Sequence, residues 1–121
     1  MGKVTFEGAE DNVVGQTYST ARGPVMRSEK SEVARVSFEK GKGADRHRHP
    51  EEQTFYLIKG RLEVTLGEGE TAESYVVEAG QGSFHPADVW HQVTALEDTV
   101  AVSFKNLVDP TGYPGTGRLD S

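Results

Sequence analysis

His47 and His49 are two of only four histidines in this chain of 121 residues, and they stand two positions apart in the run Asp45-Arg46-His47-Arg48-His49-Pro50. Side chains at i and i+2 of an extended strand point to the same face. Two imidazoles on one face are half of a transition-metal site. His91 lies in a second β-rich stretch with its own turn signals, and His85, six residues earlier, is the remaining histidine. Taken singly, each reads more simply as a core or surface residue; the pairing is what points to metal chemistry. The same alternation turns Arg46 and Arg48 away from an ion held by their neighbours.

Such side chains need strands to hold them. Ala34, Val36 and Phe38 alternate with polar residues until Gly41-Lys42-Gly43 ends the run. Thr54 to Ile58 is a dense apolar stretch stopped by Lys59-Gly60. Its Phe55 and Leu57 share the phase of Gln53 and are expected to line the interior, with Tyr56 and Ile58 on the opposite face. Leu62, Val64 and Leu66 alternate up to a hairpin turn at Gly67-Glu68-Gly69. Tyr75, Val76 and Val77 form the next strand, closed by Gly80 and Gly82. His91, Val93 and Ala95 share a face, Trp90 is expected to cover the outside or an interface, and Val100, Val102 and Phe104 mark the last strand. No stretch keeps a helical period over three turns. Many short strands at regular spacing predict an all-β antiparallel sandwich or barrel.

The chain is read as a single domain over 1–121, with its core at about 33–105. In the weakly patterned segment 1–31, Val4, Phe6, Val13 and Val14 are expected in edge strands or an arm. Arg22-Gly23-Pro24 reads as a turn and Glu29-Lys30-Ser31-Glu32 as a solvated loop. Residues 109–121 are expected to be an irregular tail. With 19 acidic against 13 basic residues and no basic cluster, nucleic acid is not an expected partner. The absence of cysteine removes disulfides and thiolate chemistry. No apolar run is long enough for a membrane span or a signal peptide, so the expected location is cytoplasmic, without membrane partners.

Two blocks of the sequence resemble the two motifs of the cupin superfamily. The first runs from Gly41 through His47, His49 and Gln53 to Gly60; the second runs from Gly80 through Pro86 and Asp88 to His91. The resemblance implies a cupin-type antiparallel β-barrel, jelly-roll-like, with an ion held inside one end. It implies one divalent transition metal per chain, bound by His47, His49, Gln53 and His91. Imidazole-rich ligation suits Fe, Mn, Ni, Cu or Zn. Three positions depart from the family pattern: Gln53 where most members carry Glu, Asp88 where the second motif has Gly, and Ala95 where it has Asn. Some metal-binding cupins use Gln at the first of these, among them a uronate-ring-opening enzyme and cupin hydroxynitrile lyases. Three imidazoles with a neutral amide leave a divalent site more positive than three imidazoles with a carboxylate, and so a stronger Lewis acid. The competing reading has Gln53 hydrogen-bonded inside the barrel while Glu51 or Glu52 ligates.

The implied function is a metal-dependent enzyme on a small organic acid, enol or carbonyl compound, of isomerase, lyase, cyclase or dioxygenase type. His85 and Glu51 are the candidate general acid–base groups, although His85 reads equally as a partly exposed residue at a strand end. Alternatives are a non-catalytic module that senses a sugar or anion, an aromatic polyketide cyclase, and a purely structural cupin. Barrels of this kind commonly pair through strands, which makes a homodimer the expected assembly.

Overall fold

The computed structural model describes residues 18–108, together with Gly2, Lys3, Thr5 and the short strand Asn12–Val13. The expected tail at 109–121, and the positions Val4, Phe6 and Val14, lie outside the described residues. The strands are β1 (Asn12–Val13), β2 (Arg22–Gly23), β3 (Val25–Arg27), β4 (Ser31–Phe38), β5 (Gly43–His47), β6 (Gln53–Lys59), β7 (Arg61–Leu66), β8 (Glu73–Glu78), β9 (Gly82–His85), β10 (His91–Ala95) and β11 (Thr99–Asn106).

Every pairing is antiparallel, and the strands form two sheets. The larger has the order β1-β2-β4-β11-β6-β9, with β3 also on β4; the smaller is β5-β10-β7-β8. From β4 onward the chain alternates between sheets, except for the β7–β8 hairpin, so each sheet presents one face to the other. Alternation fills the space between them. Ala34, Val36, Phe38, Phe55, Leu57 and Ala101 from the larger sheet join Leu62, Val64, Val77, Val93 and Ala95 from the smaller in a single core. Full burial of a Leu or Val stabilises the fold by roughly 1.5–3 kcal/mol. The expected all-β, two-sheet architecture is therefore the observed one.

Four local expectations are corrected. Arg22–Gly23 is a strand rather than a turn, pairing with β1 and β4. Glu32 is not in a solvated loop: it sits in β4 and is buried, because the strand begins at Ser31. A further strand, β9, follows Gly80 and carries Ser83 and His85 inward and Phe84 outward. In β11 the apolar alternation faces the wrong way for a core: Thr99, Ala101, Ser103 and Lys105 point inward, while Val100, Val102 and Phe104 face out.

That inversion leaves an apolar outer face on the larger sheet. Phe104 and Phe84 flank Thr54 across three neighbouring strands, and Tyr56 and Ile58 continue the patch along β6. All four of these apolar side chains are about half exposed.

Gly60 makes the tight link from β6 to β7 with φ of 97°, in the left-handed region. A Cβ there would collide with Thr99 Oγ1 and lie 2.6 Å from the Asp98 carbonyl oxygen. Thr99 cannot give way easily, because its hydroxyl accepts from Arg61 N–H at 3.1 Å and reaches the Glu97 carbonyl at 2.8 Å. Gly60→Ala is accordingly expected to destabilise the fold by about 2 kcal/mol or more, from backbone strain and a steric clash. Thermal denaturation should show a drop of several degrees; an unchanged midpoint would mean that this turn relaxes freely.

Candidate metal centre

Four histidines enter the same end of the molecule from three directions. His47 is the last residue of β5 and His91 the first of β10, opposite each other in the smaller sheet. His49 lies just past the end of β5, so the i, i+2 argument holds without a second strand residue. Pro50 accounts for this: the residue before proline is held extended, which keeps His49 aimed as a strand residue would be. The second block is tied to the first where Asp88 N–H donates to the His49 carbonyl at 2.8 Å. Asp88 takes φ of 60°, the left-handed conformation for which the related motif uses Gly, and Asp is among the residues that tolerate it.

The ligand atoms of His47, His49 and His91 lie within 4.8 Å of one another, and all three residues are buried. Their tautomers follow from their partners. Nδ1–H of His47 donates to the Asp45 carbonyl at 2.6 Å, that of His49 to the Glu51 carbonyl at 2.9 Å, and that of His91 to the Val89 carbonyl at 3.0 Å. A carbonyl only accepts, so each Nδ1 carries the proton and each Nε2 presents a lone pair. The Nε2 atoms of His49 and His91 are buried and have no hydrogen-bond partner among the described residues. Converging, orphaned, unprotonated nitrogens fit a divalent metal that accepts imidazole ligands.

Gln53, at the start of β6, donates from Nε2 to Ser103 Oγ at 2.9 Å, which leaves Oε1 as its donor atom for an ion. It lines a cavity of about 30 Å³ with His47 and His91, and with Tyr18, whose ring stacks on His47 at 3.8 Å. Glu51 is fully buried on the other side of His49, its Oε1 3.6 Å from Nδ1, and is outside the three-histidine cluster. Glu52 is exposed. Arg46 and Arg48 turn outward as expected, their guanidinium carbons 4.2 and 4.9 Å from the Trp90 ring centre.

His85 is not at a partly exposed strand end; it is fully buried, its ring 4.6 Å from that of His91. Its Nε2 meets Ser83 Oγ at 2.9 Å, and Ser83 meets Tyr75 OH at 2.6 Å. A hydrogen-bonded chain thus runs from a half-buried tyrosine to the inner histidine.

Composition and periodicity missed a polar row across the larger sheet. Arg27 pairs in register with Glu32, Glu32 with Lys105, Lys105 with Gln53, and Gln53 with His85. Arg27 reaches Glu32 at 3.3 Å. Desolvation raises the Glu32 carboxyl above its usual range, opposed by Lys105 and Arg27. The one available signal was Lys105 sharing phase with Ser103 and Ala101 in a strand whose apolar residues lie in the other phase. A larger cavity, about 680 Å³, is lined by Phe38, Lys59 and Thr99 at the far ends of the same strands and contains none of the histidines.

Comparison with protein families matches residues 34–107 to the cupin domain. No curated protein matches the chain by sequence. Among solved structures, an RmlC-like cupin from Shewanella frigidimarina superposes with a TM-score of 0.73 at 18% identity, over 88% of this chain and 90% of that one. KdgF from Halomonas gives 0.68 at 21% identity, over 83% and 89%. Oxalate oxidase in complex with glycolate gives 0.59 at 24%, over 66% of this chain but only 43% of the enzyme. At these identities the likeness is one of fold.

Burial, the largest cause in each case, holds the imidazoles neutral. His47 and His49 are pushed down to about 3, His85 to about 2, and His91 is lowered as well. In the unfolded chain they titrate near 6.5. Between these values the unfolded state binds protons that the folded state refuses. For the metal-free protein, the contribution is complete above pH 6.5 and is lost as pH falls toward 3, at about 1.4 kcal/mol per pH unit for each of His47, His49 and His85, with His91 acting in the same direction. Denaturant unfolding at several pH values should show this slope, and His85→Gln should reduce it by about one proton. A flat profile between pH 7 and 5 would contradict four neutral, buried imidazoles.

Proposed function

Since the chain belongs to the cupin family, we propose that it is a metal-dependent enzyme acting on a small organic acid, enol or carbonyl compound. The carrying observation is the convergence of His47, His49 and His91, each with Nδ1 committed to the backbone. In this reading those three nitrogens and Gln53 Oε1 hold one divalent transition metal. A bound ion supplies Lewis-acid polarisation of a substrate oxygen and stabilises a developing enolate.

The rest is the work of the chain. Backbone carbonyls fix the imidazole planes, and buried Glu51 holds His49 in its orientation from behind. His85, neutral and beside His91, is the candidate proton carrier: Ser83 and Tyr75 connect Nε2 to the periphery, while Nδ1 makes no hydrogen bond among the described residues. An acid–base group this close to the ion favours an enzyme over a passive binding module.

Elemental analysis of natively purified protein, followed by a screen of enolisable and hydroxy acids with and without chelator, tests this reading. Gln53 gives it a sharper edge. Gln53→Glu adds a negative charge at short range, so metal affinity is expected to rise about tenfold or more and turnover of an anionic substrate to fall. Gln53→Ala is expected to weaken metal binding. Unchanged affinity in both variants would remove Gln53 from the site.

The proposed assembly is a homodimer, with the outer face of the larger sheet as its contact. Contiguous exposed apolar patches often mark interaction surfaces, and Phe84 and Phe104 flank Thr54 of β6 on either side. Phe84→Asp is expected to shift the sedimentation coefficient from dimer to monomer. A wild-type chain that sediments as a monomer at high concentration would eliminate the dimer and leave the metal reading untouched.

A further inference from the structure

Lys105 is only 6% exposed, yet no carboxylate of the described residues lies within ion-pair distance of it. Its acidic neighbours Glu32 and Glu51 act on it only from beyond that distance: Glu32 pairs directly with Arg27 at 3.3 Å, and Glu51 lies behind His49. A buried ammonium that forms no close ion pair is expensive unless a further anionic group meets it. The side chain lines the same cavity as His47, Gln53 and His91, the residues around the candidate ion. Ser103, one inward position earlier on β11, holds Gln53 in place and leaves Lys105 to face the cavity. At about 30 Å³ the cavity admits a group of a few atoms.

We propose that Lys105 is the anion-binding residue of this cavity and pairs with the carboxylate of a small 2-hydroxy or 2-oxo acid, whose adjacent oxygen faces the three-histidine cluster. The inference rests on the metal reading above and deepens it by naming the substrate class. Among the residues named as lining this cavity Lys105 is the cationic one, and the 2-oxygen is the atom a neighbouring Lewis acid would polarise. Charge favours the arrangement twice, since the ion and the ammonium both attract the same small anion.

The test uses full-length protein loaded with cobalt(II), with the visible absorption of the ion as readout. Glycolate and glycolamide, nearly identical in shape and different in charge, are titrated in parallel. Wild type is expected to bind glycolate at least about tenfold more tightly than glycolamide, as one charge-assisted contact allows. Lys105→Met is expected to bring glycolate to the level of glycolamide, with cobalt content and cooperative unfolding retained. Lys105→Arg should keep part of the preference, and Lys105→Gln serves if the Met variant does not fold. Equal binding of the two probes by wild type, or an undiminished preference in the Met or Gln variant, would overturn the proposal while the metal site stands. Failure of wild type to take up cobalt any better than His91→Ala would sink both readings together.

Discussion

Each clustered histidine gives its Nδ1 proton to a carbonyl two residues away in the chain, and much of the polar end of the barrel depends on that commitment. A buried imidazole with two unsatisfied nitrogens would be costly. Fixing one of them locally turns the other into a directed lone pair, with no help from distant parts of the fold. Three such lone pairs brought within 4.8 Å form a centre that electrostatics alone would disfavour as charged groups. The cluster is assembled from neutral parts, so it could accept a cation without opposing charge.

The surrounding charges obey the same constraint. Arg27, Glu32 and Lys105 alternate in sign across β3, β4 and β11, and the row continues through neutral Gln53 and His85. A carboxylate at position 53 would extend the charge alternation up to the histidines; the amide ends it instead. Gln53 also hydrogen-bonds Ser103, so the position is tied into the sheet while it lines the same cavity as His47 and His91.

The two ends of the molecule differ because the core ends before the strands do. In the middle, Leu57, Leu62, Val64 and Val77 fill the space between sheets. Toward the histidine end the same inward positions carry hydroxyls, imidazoles, an amide and a lysine, which pair across strands and surround a cavity. Apolar residues displaced from that interior appear outside, as Phe84 and Phe104 on the far face of the sheet. The apolar outer face and the polar cavity are thus two sides of the same strands.

Much of this was legible in the chain. Two-residue periodicity marked most strands from Val33 to Phe104, Lys59-Gly60 marked the end of one of them, and the spacing of His47, His49 and His91 marked a candidate metal centre. These depend on local geometry, which the sequence by itself determines. Periodicity divides a strand into two faces but does not say which is inside. In β11 the apolar face was the outer one, and only pairing with β4 and β6 fixed Lys105 beside Glu32 and Gln53. Glu32 looked solvated because its neighbours Glu29 and Lys30 are charged; the sheet buries it because its partners across the strands are Arg27 and Lys105. The burial of His85 depended likewise on β9 pairing with β6. Histidine spacing is a property of a few adjacent residues, whereas the choice of buried face and of charge partner belongs to strand register, which is set when distant strands pair.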